Sequence, residues 1–251
     1  MRILHFSDFH LRSGHEGKRS LDILERMLDA IRMINEKKPI DMVVFTGDLV
    51  DKAGAEFECS YAEALQDFRI KVIDRIVAIT SIPAYRFLIV GGNHEIERGL
   101  VDESEHEKQV KISDEQSLEH YMNQKDIADK VQSMNTFVNF QREYYKSVLD
   151  PKNCEYEEGL FHRTLTFNVD GGQKVGVSLL NSAWMCYDNS DEKKIAMGVQ
   201  QLNTSWPKFK DCISIAIAHH HPTFLNSYDQ DEVTRVLLQH FDFSRQESKI
   251  L

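Results

Sequence analysis

The sequence predicts an α/β fold built on parallel βαβ units, and three observations predict it. Short apolar runs at Arg2–Ser7, Met42–Thr46 and Phe87–Val90 have the length of buried strands. Between them lie two longer stretches with apolar residues at helical spacing. Each short run ends in a polar motif, as expected where ligands collect beyond the C-terminal ends of parallel strands.

The elements follow in order. The first run delivers Asp8 at its end, and Leu21, Leu24, Leu28, Ile31 and Ile34 then mark a helix over Arg19–Lys37 that Pro39 stops. Met42–Thr46 is the second strand, and Tyr61, Leu65, Phe68, Val72, Ile76 and Ile79 mark a second helix before the strand Phe87–Val90. The rhythm then breaks: Glu95 to Lys130 holds eleven acidic and five basic residues, a net of -6. Residues from about 97 to 150 are expected to form an acidic, partly helical insertion or cap; its second half regains a helix through Val131, Met134, Val138, Phe140, Tyr144 and Val148, ending at Asp150-Pro151. Arg163–Val169 and Lys174–Asn181 flank Asp170-Gly171-Gly172, a hairpin signature. A short helix at Gln200–Trp206, a buried strand at Ile213–Ala218 and a last helix at Gln230–Phe241 complete one domain, residues 1–251.

The 251 residues, 41% of them hydrophobic, suffice for one sizeable core. A net charge of -10 and a pI near 5.6 exclude a broad basic surface for sequence-independent binding along nucleic acid, leaving room only for a local cluster such as Arg12, Lys18 and Arg19. Cys59, Cys154, Cys186 and Cys212 form no CxxC pair and read as free thiols. An acidic residue follows Met-Arg-Ile-Leu-His-Phe-Ser too early for a signal peptide, and no apolar run reaches membrane-spanning length, so a cytoplasmic setting with no membrane partner is expected.

The chemistry sits in four patterns: Asp8-Phe-His10, Gly47-Asp48-Leu-Val-Asp51, Gly92-Asn93-His94-Glu95 and His219-His220-His221-Pro222. Together they offer the carboxylate, amide oxygen and imidazole that divalent metals of hard to intermediate character prefer. In an extended strand end Asp8 and His10 leave on one face and grip one cation together. Asp48 has two oxygens with which to bridge two cations, Gly47 allows close backbone approach, and Asp51 is better placed to brace the loop. Asn93 offers an amide oxygen while His94 faces another direction. His5 reads as a packed histidine inside the first strand, and His15, His106, His120 and His162 as surface or local hydrogen-bonding groups.

The ordered set DxH, GDxxD, GNH[DE] and a late histidine before proline resembles the calcineurin-like metallophosphoesterase superfamily over nearly the whole chain, with Leu180-Asn181-Ser182 and Gln201-Leu202 as further similar features. The resemblance implies a four-layer sandwich of two mixed β-sheets flanked by helices, with a dinuclear metal site at one rim. It implies Asp8 and His10 on the first metal, Asp48 bridging both, and Asn93 on the second. His94 would be the catalytic acid. The late ligand two residues before proline would be His220, with His219 as the fallback, and Asp51, His221 and Arg12 would support the site or meet substrate. Two divalent cations are implied, manganese first, with iron, zinc or nickel as alternatives, and water would attack phosphorus directly. No cysteine or serine stands in a nucleophile motif.

The family's last motif, GHxH, has no match. His240 precedes Phe-Asp-Phe, and the closing Glu-Ser-Lys-Ile-Leu resembles the opening of the strand that would carry it. The expectation is a C-terminally truncated chain with an incomplete metal centre, its final ligands and any further domains lying beyond Leu251. The expected function is a metal-dependent phosphoesterase acting on a phosphorylated small molecule or nucleic acid, phosphodiesterase or nuclease ahead of phosphomonoesterase. GNHE and GDLVD resemble protein Ser/Thr phosphatases, but the first motif, Asp8-Phe-His10, lacks the glycine that follows it there, and the residue after GDLVD-Lys is not the expected glycine either. The alternatives are a non-catalytic interaction scaffold of the same fold, or the N-terminal effector domain of a larger regulated protein.

Overall fold

The computed structural model describes residues 1–169 and 171–245. Strands β1 (Ile3–Phe6), β2 (Met42–Phe45) and β3 (Phe87–Ile89) form a parallel sheet in that order, with Ile3 opposite Met42 and Val43 opposite Phe87. All of β2 and β3 is buried, which is why they read as continuous apolar runs. Helix α1 (Gly14–Lys37) connects β1 to β2, starting ahead of the expected Arg19 because its first turns are polar and carry no periodicity.

The second helical stretch is two helices, α2 (Tyr61–Phe68) and α3 (Asp74–Thr80), joined by a π-helical turn, Arg69–Ile73. The wide turn lets the adjacent Val72 and Ile73 both be buried. Ser60 starts α2 with a capping box, accepting from the Glu63 N–H while the Glu63 carboxylate accepts from the Ser60 N–H.

The acidic segment is helical through both halves: α4 (Glu103–Val110), α5 (Glu115–Met122), the short α6 (Ile127–Lys130) and α7 (Asn135–Val148). Part of its charge sits at helix starts, where Asp102 accepts from the N–H groups of Ser104 and Glu105, and Asp114 from that of Ser117. Helix α7 covers the outer edge of β3. Tyr145 Oη accepts from Ile89 N–H (3.1 Å) and donates to the Phe87 carbonyl (3.3 Å), while Gln141 Nε2 donates to the Ile89 carbonyl (2.7 Å). Side chains thus satisfy backbone groups that an edge strand leaves unpaired.

The second sheet runs β4 (Cys154–Glu158), β5 (His162–Asn168), β6 (Lys174–Leu180), β7 (Ile213–Ile217), β8 (Phe243–Arg245) in that order. It is mixed: β4, β5 and β6 are antiparallel, and β6, β7 and β8 are parallel. Gly171 and Gly172, with φ of 92° and 78°, turn the chain between β5 and β6 in a conformation that favours glycine. Helices α8 (Gln200–Ser205) and α9 (Ser227–His240) follow β6 and β7. The sheets meet where Tyr85 packs on Phe167 at 5.9 Å between ring centroids and Arg86 Nη2 donates to the Asn168 carbonyl at 2.6 Å. The architecture is thus the expected α/β arrangement of two sheets flanked by helices.

Two outcomes follow. Tyr145→Phe leaves Ile89 N–H without its buried partner and lowers unfolding free energy by about 1–3 kcal/mol, read by urea titration. Burial lowers the His162 pKa from its ordinary 6.5 to about 4. The unfolded chain therefore takes up this proton first as pH falls, so the contribution is intact above pH 6.5 and is lost toward pH 4. His162→Gln should flatten that part of the stability profile.

Candidate metal centre

The β1–β2 ladder continues into the motifs that follow the strands. Asp8 N–H donates to the Gly47 carbonyl (3.1 Å), His10 N–H to that of Asp48 (3.0 Å) and Leu11 N–H to that of Leu49 (2.9 Å). Asp8, His10 and Asp48 all adopt left-handed backbone, with φ of 56°, 47° and 59°. The extended strand end inferred from the DxH spacing is therefore corrected: β1 stops at Phe6, and two left-handed residues bring the side chains together. Such conformations cost roughly 1–2 kcal/mol each for most non-glycine residues and persist where surrounding structure enforces them.

Glu95 supplies much of that enforcement. It is fully buried, Oε2 accepting from the N–H groups of Asp48 (2.8 Å) and Gly92 (2.7 Å) and Oε1 from Leu49 N–H (2.8 Å). Burial and the neighbouring Asp48 carboxylate push its pKa up to about 8, against the pull of those three donors. The loops meet so closely that a Cβ on Gly47 would lie 2.6 Å from Gly92 N, and one on Gly92 2.3 Å from Asp48 Oδ1.

Two groups of donors share Asp48. On one side His10 Nε2 stands 3.7 Å from Asp48 Oδ2 and 3.8 Å from Asp8 Oδ1. On the other, His219 Nε2 stands 3.8 Å from Asp48 Oδ1 and 3.2 Å from Asn93 Oδ1. His219 Nδ1 lies 2.6 Å from the Thr46 carbonyl, which can only accept, so the ring proton is on Nδ1 and Nε2 turns a lone pair toward the two oxygens. With the proton on Nδ1, a cation between these atoms would satisfy that arrangement. The separations of 3.7–3.8 Å likewise suit two ligands of one ion rather than a hydrogen bond. The residues present therefore fit divalent cations. His94 comes close as well: His10, Asp48 and His94 offer ligand atoms within 4.8 Å of one another.

His94 is held by other partners. Its Nδ1 is 2.9 Å from Asp51 Oδ1 and 3.1 Å from Lys52 N–H. The Lys52 N–H donates to Nδ1, so Nδ1 is the accepting nitrogen, and Asp51 Oδ1 is its near neighbour rather than its hydrogen-bond partner. Asp48 Oδ1 accepts from the His94 N–H at 3.0 Å, and Arg12 Nε pairs with Asp51 Oδ2 at 2.9 Å. Asp51 thus stands between His94 and Arg12.

The late histidines separate. His220, singled out by its spacing to Pro222, faces away: Nδ1 lies 3.1 Å from Ser182 Oγ, its ring stacks on Phe224 at 4.7 Å, and Cys186 Sγ is 3.9 Å from Nε2. Burial, with His219 beside it, holds its pKa well below the usual imidazole value. Its backbone N–H donates to Ser182 Oγ at 2.9 Å, which seats one ring in the core and leaves His219 toward Asp48. His221 is exposed and holds Thr223 through Nδ1, so the structure does not bring it to the donors. His5 Nε2 sits 3.0 Å from Thr46 Oγ1, below the same loop. His240 stacks on Trp206 at 3.8 Å, and the closing residues Glu247–Leu251 lie outside the described residues. The anchoring role of Ser182 was missed; its only sequence signal was the Leu180-Asn181-Ser182 pattern.

A family model for calcineurin-like phosphoesterases matches residues 1–245, and the chain belongs to that family. No curated protein matches it. Among the described residues no helix is long and apolar enough to cross a membrane.

Titration calorimetry with Mn2+ should separate the two buried histidines. His219→Ala should weaken binding by about 10–100-fold, whereas the uncharged His220→Asn should change it by less than about threefold. The opposite order would return the ligand role to His220.

Proposed function

We propose that this protein is a divalent-metal-dependent phosphoesterase that hydrolyses phosphate esters with water, phosphodiesters ahead of monoesters. The observation that carries the reading is Asp48, whose two carboxylate oxygens each face a separate donor group, Asp8 with His10 and Asn93 with His219. The mixed oxygen and nitrogen donors suit manganese first, with iron, zinc or nickel acceptable. When bound, two cations supply Lewis-acid stabilisation of phosphoryl charge and lower the pKa of the attacking water.

The residues of the chain do the rest. The Lys52 N–H orients His94 by donating to Nδ1, with Asp51 packed beside the ring, leaving Nε2 to donate to the leaving oxygen. Burial raises the Cys154 thiol to about 12 and the Cys186 thiol well above its ordinary value, which argues against a thiolate nucleophile and supports direct attack by water. The net charge of -10 favours a singly charged diester over a doubly charged monoester. Left-handed backbone at Asp8, His10 and Asp48, which brings their side chains together, supports the enzymatic reading over a non-catalytic scaffold.

Hydrolysis of bis-p-nitrophenyl phosphate with Mn2+ tests this. Asp48→Asn should lower the rate at least about 10³-fold, equivalent to some 4 kcal/mol of transition-state stabilisation. His94→Asn should cost about 10²–10⁴-fold for alkyl esters. It should cost less for p-nitrophenyl esters, whose leaving group needs little protonation. Wild-type activity in Asp48→Asn overturns the mechanism.

A further inference from the structure

Beside His94 the surface opens into a groove of about 500 Å³, within the range of small-ligand sites. Its apolar lining comes from Ala53, Ala55, Ile96 and Leu100, and Leu100 is 57% exposed despite its size. Two cations contribute to the lining from different elements: Lys52, in the short turn after Asp51, and Arg98, where the acidic segment begins. Lys52 Nζ is 3.3 Å from Glu56 Oε1. Arg98 Nη2 donates to Asn189 Oδ1 at 3.1 Å, a neutral partner, and among the described residues no carboxylate oxygen stands within 4.0 Å of its guanidinium. The carboxylate that also lines the groove, Glu97, accepts from Thr136 Oγ1 at 2.5 Å.

The groove thus pairs a nonpolar wall with positive charge, next to the residue assigned to the leaving oxygen, in a protein that is otherwise strongly acidic. We infer that it binds the leaving-group side of the substrate and that this leaving group is a nucleoside carrying a second phosphate, so the substrate is a diester of dinucleotide size. The inference rests on the phosphoesterase reading. A nucleobase lies on the apolar wall, and the second phosphate meets Arg98 and Lys52, the guanidinium matching phosphate in two-pronged geometry. The net charge of -6 between Glu95 and Lys130 repels longer polyanions. In the reaction the water oxygen bonds to phosphorus and the P–O bond to the nucleoside breaks. One water proton is lost, and the leaving oxygen takes its proton from His94. The products are a nucleotide and the departing nucleoside phosphate.

Hydrolysis of the dinucleotide TpT is to be compared with that of pTpT and TpTp, one of which places the extra phosphate on the leaving nucleoside whatever the direction of binding. The expected result is a kcat/KM about tenfold above TpT for one of the two. Arg98→Ala should bring that ratio close to one and weaken calorimetric binding of thymidine 3′,5′-bisphosphate. A Cβ at Gly99 meets nothing within 4 Å and its backbone is not left-handed, so Gly99→Trp fills the groove without strain and should raise KM for the dinucleotides. Equal rates for all three dinucleotides, with hydrolysis of bis-p-nitrophenyl phosphate still dependent on Asp48, overturn the groove inference and leave the phosphoesterase reading standing. Faster cleavage of a twenty-residue oligothymidylate than of any dinucleotide also overturns it. Absence of Asp48-dependent hydrolysis of every substrate removes the reading and the inference together.

Discussion

The Glu95 carboxylate is the contact on which the site depends. Its two oxygens collect N–H groups from Asp48, Leu49 and Gly92, tying together the loops after β2 and β3. Those amides are buried, and without an acceptor each would cost about 1–3 kcal/mol. The same bonds hold Asp48 in left-handed backbone and set Asn93 and His94 opposite it. An amide in place of the carboxylate would serve only one side of this arrangement, because its NH2 group would face N–H donors on the other.

Rigid elements surround that clamp. The loops leave parallel strands whose ladder runs on through His10 and Leu11, so the donors inherit the register of the sheet. The exposed edge of β3 is closed by Tyr145 and Gln141, which fixes the strand preceding Gly92. From the other sheet, Ser182 seats His220 in the core while its neighbour His219 reaches Asp48 and anchors on the Thr46 carbonyl. The two rings touch edge to face at 4.6 Å between centroids, in the bend after β7, yet their nitrogens meet different partners, Ser182 for one and Thr46 and Asn93 for the other.

Much of this was legible in the sequence because burial writes itself as periodicity. The three parallel strands, α1 and the β5–β6 hairpin follow from apolar spacing and turn glycines. Strand β4, Cys-Glu-Tyr-Glu-Glu, was not legible, since three glutamates mask its alternation. Helices α4 and α5 were equally quiet because caps and solvated charges dominate them. The π-helical turn after Phe68 keeps helical spacing on both sides and so leaves no break to detect. At the site, residue types suggested candidate donors, but spacing to proline pointed to His220, and only three-dimensional partners distinguish a histidine packed on Phe224 from one facing Asn93.

The electrostatics of this rim suit a cation. Asp51 has Arg12 at 2.9 Å, and Glu95, despite its three backbone donors, has its pKa pushed up to about 8, so neither presents a bare negative charge at neutral pH. Asp48 receives the His94 N–H on Oδ1 but meets His10 only at 3.7 Å on Oδ2, beyond hydrogen-bond reach. Asp8 bonds Ser7 Oγ through Oδ2 while Oδ1 faces the same imidazole at 3.8 Å. Burial lowers the His10 pKa, so that ring opposes the carboxylates as a lone-pair donor rather than as a positive charge. The protein thus neutralises the carboxylates that brace the site and leaves the two that converge on His10 without a cationic side chain. That selective compensation, more than the number of acidic residues, suits the rim to a metal ion rather than to a salt-bridge network.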